Sequence, residues 1–309
     1  MILTITMNPA VDRVYQVPRL AVGEISRPTQ TSVTAGGKGI NVARVIHRLG
    51  GEVIAAAAMA GDTGKWIASA VKAEGIRLEA FEILGENRTC IAIMDSFNGL
   101  QTEINESGPV FTPDDAIKCI NGIRKIISNS SPKFIVLSGS LPPGAKPDFI
   151  GDIVKLSNQS NIPMVVDTSG DALKSCLNAK PWLIKPNMNE LSQLTGKEIR
   201  SVQDVAAQSF ALNKETGVAI LATCGAHGAV YTDGEIQLQA GSPIIQLVSP
   251  LGSGDSLLGA FLLKFVQVGD LRASLKYGIA AGADNATRLG SGFVDLESVE
   301  AMAGRVVVT

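Results

Sequence analysis

Residues 134–170, FIVLSGSLPPGAKPDFIGDIVKLSNQSNIPMVVDTSG, carry the clearest signal of the fold. An apolar run, Phe134–Ser138, leads through a loop of glycine and proline into a segment of helical period, Lys146–Asn158, and then into a second apolar run, Pro163–Asp167. Strand, helix and strand in this order form the pattern of a βαβ unit, in which a helix covers two parallel strands. The stretch therefore predicts an α/β fold.

The same alternation continues towards the C-terminus. Further runs typical of buried strands are Trp182–Lys185, Val218–Thr223 and Ile244–Val248, and the segment Val202–Thr216 has a helical period. Hydrophobic residues make up 45% of the 309-residue chain but aromatic residues only 5%, so the core must consist mainly of aliphatic side chains, as in helix-covered parallel sheets. We expect a mostly parallel sheet with helices on both faces.

The N-terminal part of the chain contains strand candidates without covering helices. After an opening strand, Ile2–Met7, these candidates are Arg13–Val17, Ile25–Thr34, Cys90–Asp95 and Leu100–Asn105. We expect them to form a small separate sheet, a β lid over the main sheet. No repeat or long linker divides the chain, so we expect a single domain over residues 1–309, with the lid strands inserted from about 10–34 and 86–106.

One hairpin can be predicted from its turn. Asp233-Gly234 is a residue pair preferred in two-residue hairpin turns, and it is flanked by the strand candidates Ala229–Thr232 and Glu235–Leu238. We expect this hairpin near the edge of the main sheet.

Polar, glycine-rich loops follow five of the predicted strands. They are SGSLPPG (138–144), DTSG (167–170), KPNMNE (185–190), TCGAHG (223–228) and SPLGSGD (249–255). Any one of them could be an ordinary turn. Because ligands bind at the carboxyl ends of the strands in open α/β sheets, five such loops together predict one shared site.

Charge, apolar runs and histidine count exclude several classes of function. The 27 Lys and Arg residues nearly balance 29 Asp and Glu residues, so no basic surface for nucleic acid or anionic lipid is expected. The longest apolar run, Val53–Ala60, is far too short to span a membrane, and the N-terminus lacks the features of a signal peptide. The chain has only two histidines and no G-x-S-x-G motif, so it lacks the residues that a zinc hydrolase or a serine hydrolase needs. We expect a soluble, cytoplasmic protein with reduced cysteines at positions 90, 119, 176 and 224.

The segment Pro250–Asp255 leads into an apolar helix, Ser256–Val268. Its glycines place backbone N–H groups at the positive end of that helix, which favours an anion. Asp255 beside them would repel phosphate but could accept a proton from an attacking hydroxyl, or it could be an ordinary helix N-cap. The glycine spacing departs from the dinucleotide fingerprint, because the next glycine is Gly259, and this disfavours NAD.

Lys185–Glu190 opens another helix directly after a strand. Asn187 and Glu190 have the spacing of a helix capping box. The alternative is that Glu190 orients Mg²⁺-bound water while Lys185 and Asn187 face nucleotide phosphates. Both interpretations can hold at once.

Ala35–Asn41, AGGKGIN, precedes the helical segment Val42–Leu49 and lets the backbone approach a ligand closely. It is not a Walker A loop, since Gly39 stands where that motif has Ser or Thr. Asp12 and Asn41 could bind sugar hydroxyls, and Arg88 could bind a phosphate through its planar fork or could be a solvated surface residue.

Taken together, these motifs resemble the ribokinase-like sugar kinases of the phosphofructokinase B family, and most of all tagatose-6-phosphate kinases and 1-phosphofructokinases. The stretches that carry the resemblance are MNPAVD, GGKGINVARV, NRTCIAI, QTEINESGP, SGSLPPG, KPNMNELSQLTG and SPLGSGDS, within residues 1–290. The sequence departs from the family at Ser253, where members often have alanine, at Thr223-Cys224, and over Ala281–Phe293.

The resemblance implies a role for each candidate residue. Asp255 would be the catalytic base, and Gly252 and Gly254 would form the anion hole. The other implied groups are Lys185, Asn187, Thr223, Gly225, Gly228, Ser253 and Asn285 for ATP, Asn187 and Glu190 for Mg²⁺, and Asp12, Gly37, Lys38, Asn41 and Arg88 for the sugar phosphate. Some members also use a monovalent cation such as K⁺.

The reaction expected from this resemblance is ATP-dependent phosphorylation of a ketohexose monophosphate, which would be tagatose 6-phosphate, fructose 1-phosphate or fructose 6-phosphate. Two alternatives stay open: a kinase of an unphosphorylated sugar or nucleoside, and a sensor of sugar or nucleotide without catalysis. Lids of such relatives often pair between subunits, so we expect a homodimer through the β lid.

Overall fold

The computed structural model describes every residue from Met1 to Thr309. Its strands are β1 (Ile2–Thr6), β2 (Ala10–Val17), β3 (Gln30–Gly36), β4 (Val53–Met59), β5 (Arg77–Glu82), β6 (Arg88–Asp95), β7 (Leu100–Asn105), β8 (Phe134–Ser138), β9 (Met164–Asp167), β10 (Leu183–Ile184), β11 (Ala219–Thr223), β12 (Ala229–Thr232) and β13 (Gln237–Ala240). Its α-helices are α1 (Lys38–Arg48), α2 (Gly61–Ala73), α3 (Pro113–Ser130), α4 (Asp148–Gln159), α5 (Gly170–Leu177), α6 (Met188–Thr195), α7 (Val202–Thr216), α8 (Ser253–Val268), α9 (Leu271–Ala286) and α10 (Leu296–Ala303). None of these helices is long and apolar enough to cross a membrane.

Nine strands form the main sheet, in the order β13-β12-β11-β10-β9-β8-β1-β4-β5. All neighbours pair in parallel except at one edge, where β12 runs antiparallel to both β11 and β13. Alternate residues of each strand face opposite sides: in β8, Phe134 and Val136 belong to one apolar cluster, and Ile135 and Leu137 to the other. Helices α1, α2, α8, α9 and α10 cover the first side and α3–α7 the second, which confirms the predicted α/β architecture.

Local capping signals explain why some helix boundaries agree with the sequence prediction. Helix α7 begins after a capping box, in which Ser201 and Asp204 satisfy each other's backbone N–H groups, and it ends at Gly217 with a φ of 72°. Its bounds, Val202–Thr216, are the predicted ones.

The predicted strand Ile244–Val248 is wrong. Residues 241–252 cross without regular structure from the end of β13 to the start of α8. The apolar side chains in this run are exposed, Ile244 completely and Leu247 to 63%. The position beside β11 is taken by the β12–β13 hairpin, and the outer edge of β13 pairs with the C-terminal residues Val308 and Thr309, so no further strand can join the sheet there.

The turn of the hairpin is also longer than predicted. Thr232 pairs with Gln237, so the turn contains four residues, from Asp233 to Ile236. The Asp233 carboxylate accepts hydrogen bonds from the N–H groups of Glu235 and Ile236, which stabilises the longer turn. The predicted position at the sheet edge is confirmed.

A second, four-stranded sheet, which we call the lid sheet, has the order β3-β2-β6-β7. It contains the four strands predicted for it, although β3 begins at Gln30 and the predicted start, Ile25, lies in an exposed loop. The base of β6 is anchored to the main sheet: the Asn87 side chain accepts a hydrogen bond from Ala60 N and donates one to Ala58 O. The lid sheet therefore leaves the main sheet at a fixed point, next to the carboxyl end of β4.

Candidate active site

A cavity of about 570 Å³ lies between the lid sheet and the loops at the carboxyl ends of the main strands. Three of the five predicted loops line it, through Lys185, Asn187, Thr223 and the segment 250–255. The loops SGSLPPG and DTSG instead line a separate hollow of about 330 Å³. The parallel strands β10 and β11 thus bring two of the five predicted loops to the cavity, whereas the segment 250–255 reaches it without a preceding strand.

Asp255 lies at the N-terminal end of α8 and is buried, with 6% of its surface exposed. It is not the N-cap of the helix; that position is Gly252, which has no side chain to cap with. The Asp255 carboxylate instead accepts a hydrogen bond of 2.8 Å from the Asn41 amide on α1. Burial, together with repulsion from Asp167, raises the pKa of Asp255 above its ordinary value. A buried carboxylate of this kind is suited to accept a proton.

The turn before α8 depends on glycine. Gly252 has a φ of 74°, and a Cβ at this position would lie 2.6 Å from the Cβ of Ser291. The N–H groups of Gly254 and Asp255 donate to no acceptor in the protein, because they belong to the first turn of the helix. These N–H groups and the helix dipole together favour a negatively charged ligand at this point.

A buried carboxylate that the sequence did not single out links two predicted lysines. Asp167, at the end of β9, lies 3.2 Å from the Nζ atoms of both Lys38 and Lys185, and it accepts a hydrogen bond from Ser138 Oγ. Burial alone would raise the pKa of Asp167, but attraction by Lys185 and Lys38 outweighs it and lowers the pKa. In turn, Asp167 raises the pKa of Lys38, so Lys38 keeps its charge at the cavity. The position of Asp167 in the DTSG loop was the available signal.

The predicted sugar-binding residues Asp12, Gly37, Lys38, Asn41 and Arg88 all line the cavity. Arg88 donates hydrogen bonds to Asn8 O and Glu106 O, at 3.2 and 3.3 Å, so it is held in place rather than free in solvent. Asp12 packs against Gly36, where a Cβ would overlap its carboxylate. Burial raises the pKa of Asp12 to about 6, against the attraction of Arg44 and Arg88.

Strand β7 adds three residues to the cavity that sequence reasoning missed. Gln101, Glu103 and Asn105 alternate along the strand and share one face. Both amides donate to the Glu103 carboxylate, at 2.6 and 3.1 Å. The strict alternation in this strand was the signal that could have found them.

The residues predicted for the nucleotide divide into two groups. Thr223 lines the cavity and is paired with Asn187 through a parallel β-bridge. The remaining four, Gly225, Gly228, Ser253 and Asn285, are not among the residues that line it. Asn285 is fully buried. Its side chain donates a hydrogen bond of 2.7 Å to Leu251 O and accepts one of 2.8 Å from Gly292 N, so it supports the loop before α8 rather than facing the cavity.

Asn187 and Glu190 form the capping box that the sequence suggested, with two reciprocal hydrogen bonds of 2.9 Å. Nowhere in the chain do three His, Cys, Asp or Glu side chains come together as a metal site. Of the two residues, Asn187 lines the cavity and Glu190 does not. Mg²⁺ usually takes one or two carboxylates and completes its shell with phosphates and water, so an amide and a carboxylate oxygen here have the chemistry for a metal that arrives with a nucleotide.

Comparisons with known proteins agree with this geometry. Residues 2–298 match the model of the pfkB family of carbohydrate kinases. Phosphofructokinase-2 from Escherichia coli is 27% identical over 98% of each chain; its TM-score is 0.91 for the complex with substrates and products and 0.90 for the complex with potassium. A protein from Thermotoga maritima described as a possible 1-phosphofructokinase is 23% identical over 100% of this chain and 99% of its own, with a TM-score of 0.90, and shares the fold. The chain belongs to the pfkB family of carbohydrate kinases and is a sugar kinase.

Proposed function

We propose that this kinase transfers the γ-phosphoryl group of ATP to a primary hydroxyl of a ketohexose monophosphate and releases a sugar bisphosphate and ADP. The candidate substrates are tagatose 6-phosphate, fructose 1-phosphate and fructose 6-phosphate. The observation that carries the proposal is the buried Asp255 carboxylate at a helix N-terminus, in a cavity that also contains Lys38, Lys185 and Arg88.

Asp255 acts as the catalytic base. It takes the proton of the sugar hydroxyl as the hydroxyl oxygen bonds to the γ-phosphorus, while the bond from that phosphorus to the bridging oxygen of ADP breaks. The raised pKa of Asp255 supports this role, because it brings the pKa of the base closer to neutrality. Asn41 holds the carboxylate while the other oxygen stays available.

Positive groups stabilise the charge that is transferred. Lys185 lies near Gly254, 3.4 Å from where a Cβ would stand, and is therefore close to the N-terminal turn of α8. We assign Lys185 and the free N–H groups of that turn to the phosphates of ATP. Mg²⁺ bound with ATP would neutralise phosphate charge, held on the protein side by Asn187 and Glu190.

The sugar phosphate binds on the lid side. Arg88 presents a planar fork suited to a phosphate, and Asp12 and Asn41 offer an acceptor and a donor for hydroxyls. Lys38 lies between the two halves of the site and would contact either phosphate. Closure of the lid sheet over the sugar would exclude water.

We also propose that two copies associate through their lid sheets. Val33, Arg13, Ile91 and Ile104 lie in one cross-strand row, and Val33 and Ile104 are 41% and 57% exposed. Exposed apolar side chains with an arginine among them are typical of interfaces.

A single panel tests the reaction. ADP formation from Mg-ATP is measured with the three candidate sugar phosphates and with free fructose, ribose and adenosine, in K⁺ and in Na⁺, for the wild type and Asp255→Asn. We expect turnover with a phosphorylated ketose and a loss of ~10²–10⁴ in kcat for the variant, with little change in ATP binding. Asp62→Asn, which removes an exposed carboxylate, is the matched control.

The outcomes separate the alternatives. Turnover only with free sugars or adenosine would exclude the proposed substrate class. ATP binding without turnover on any acceptor would indicate a sensor. Near-normal turnover in Asp255→Asn would remove Asp255 from the role of base.

A further inference from the structure

Arg44 is the largest side chain in the molecule that is completely buried, and no motif in the sequence singles it out. Every one of its five N–H groups has an acceptor. Nε and Nη2 form a double hydrogen bond with the Glu74 carboxylate, and Nη2 also donates to Ala35 O. Nη1 donates to Asn41 Oδ1 and to Ser291 O, both at 2.9 Å. A buried arginine with no spare donor is held in one orientation.

That orientation determines which way the Asn41 amide points. A guanidinium group only donates, so the atom of Asn41 that faces Arg44 must be the oxygen. The NH₂ group of Asn41 must then point the other way, and there it donates to Asp255 at 2.8 Å. Arg44, Asn41 and Asp255 therefore form a directed chain from a buried cation to the proposed base.

The other contacts of Arg44 reach the same site. Ser291, whose carbonyl accepts from Nη1, is the residue that packs against Gly252 in the anion-binding turn. Ala35 directly precedes Gly36, on which the Asp12 carboxylate rests. One side chain thus holds three segments that line or support the cavity.

We propose that Arg44 is a positioning residue for phosphoryl transfer: it fixes the Asn41 amide so that Asn41 holds one carboxylate oxygen of Asp255 and leaves the other free to take the proton of the sugar. This inference rests on the proposed role of Asp255 as base. Arg44 itself touches neither substrate.

The inference predicts a change in pH dependence. The hydrogen bond from Asn41 favours the ionised form of Asp255, so its loss must raise the pKa of the base and move the acidic limb of the kcat profile to higher pH. The other charged groups that face Asp255 are Asp12 on β2, Lys38 on α1, Asp167 on β9 and Lys185 after β10. Of these, Asp12 also feels the charge of Arg44, and a lysine at position 44 keeps that charge.

The experiment compares Arg44→Lys with Arg48→Lys. Arg48 is the matched control because it lies one turn later on α1, donates to Val294 O and stacks under the same ring, Phe293, as Arg44 does. It has no contact with Asn41. A lysine at position 44 keeps a positive charge near Glu74 but cannot serve Glu74, Asn41 and Ser291 together.

We expect Arg44→Lys to lower kcat on the order of tenfold and to shift the acidic limb upward by about half a unit to one unit. Arg48→Lys should leave the limb unchanged. A purely structural role would lower the melting temperature of both variants without moving the limb, and that result would overturn the inference.

Two further variants keep the test decisive. Asn41→Asp keeps an acceptor for Arg44 but removes the donor to Asp255. It should therefore shift the acidic limb to higher pH even if Arg44→Lys does not fold. An unshifted limb in Asn41→Asp overturns the inference. Asp255→Asn separates the two levels of the argument. If Asp255→Asn is inactive and the limb in Arg44→Lys is unshifted, only this inference fails. If Asp255→Asn is fully active, the proposed role of Asp255 as base fails, and this inference fails with it.

Discussion

Asp12 shows how a single carboxylate in the site can make substrate binding depend on pH. Its pKa is raised to about 6, mainly by burial, so it changes charge close to neutrality. Above this pH it accepts hydrogen bonds from hydroxyl groups, and below it the protonated form loses an acceptor. We expect the KM for the sugar phosphate to rise as the pH falls through about 6, while the KM for ATP stays constant.

Initial rates between pH 5 and pH 8 measure this effect. Asp12→Asn should have a higher KM at every pH and a smaller inflection near 6 than the wild type, because only the substrate phosphate then titrates in this range. A wild-type KM that is flat across the range would show that Asp12 does not bind the sugar.

Arg88 is the residue on which recognition of the sugar's phosphate depends most directly. Its Nε and Nη1 atoms are held by Asn8 O and Glu106 O, which orient the guanidinium towards the cavity. Removing a bidentate phosphate contact costs binding in the ground state and the transition state alike, so Arg88→Ala should raise the KM for the sugar phosphate by roughly 10- to 100-fold and leave kcat nearly unchanged. Steady-state kinetics with free fructose provide the control, since a substrate without phosphate should be insensitive to the change.

The sequence predicts site residues whose role depends on residues adjacent in the chain. It does not predict residues whose role depends on contacts with distant parts of the chain. Asp255 could be found because its glycines and its apolar helix adjoin it. Asp167 owes its importance to Lys38, 129 residues away, and Arg44 owes its burial partly to Ser291, 247 residues away. Neither relationship leaves a local pattern, so only the fold reveals it.

At the scale of elements, the turn at the N-terminus of α8 contributes both to the stability of the fold and to the proposed anion-binding site. Gly252 has a positive φ and no room for a Cβ beside Ser291, and its turn aims the first N–H groups of the helix at the cavity. Gly252→Ala should lower stability by about 1–3 kcal/mol through backbone strain and overlap, and should also lower kcat because the N–H groups move.

The other end of the same helix provides the matched control. Gly269 has a similar φ of 70°, but nothing lies within 4 Å of its Cβ position. Gly269→Ala should therefore lower the melting temperature through backbone strain alone and keep full activity. Equal kcat values for Gly252→Ala and Gly269→Ala would argue against an anion-binding role for the turn.

Elements with local signals were predicted well, and those that depend on competition between segments were not. The capping box and terminal glycine of α7 lie within the chain segment itself. The run Ile244–Val248 has the composition of a strand, yet the β12–β13 hairpin and the C-terminal residues occupy the edge it would need. Strand β4, VIAAAAM, is buried along its whole length and lies between β1 and β5. Its small side chains fit this position, but they do not predict which strands will be its neighbours.

At the scale of the whole molecule, two apolar layers hold the main sheet rigid, and the lid sheet has no such cover. Every residue of β8 is buried, whereas on β7 all but one residue are exposed. Leu100 and Ile104 on β7 are 64% and 57% exposed. Exposed apolar side chains on an open sheet surface favour association, which supports the proposed pairing of two lids.

The association of two lids can be tested with one charge. Ile104→Glu places a carboxylate on the edge strand β7, at one end of the row formed by Val33, Arg13, Ile91 and Ile104, where a dimer would bury the new charge. We expect the wild type to sediment as a dimer and Ile104→Glu as a monomer, with a raised KM for the sugar phosphate because the lid is then less firmly held. Ile117→Glu is the control: Ile117 is equally exposed, at 60%, but lies on α3, away from the lid. A wild-type monomer, or a dimer that persists in Ile104→Glu, would contradict association through the lids, whereas a dimer lost in both variants would indicate a general effect of added charge.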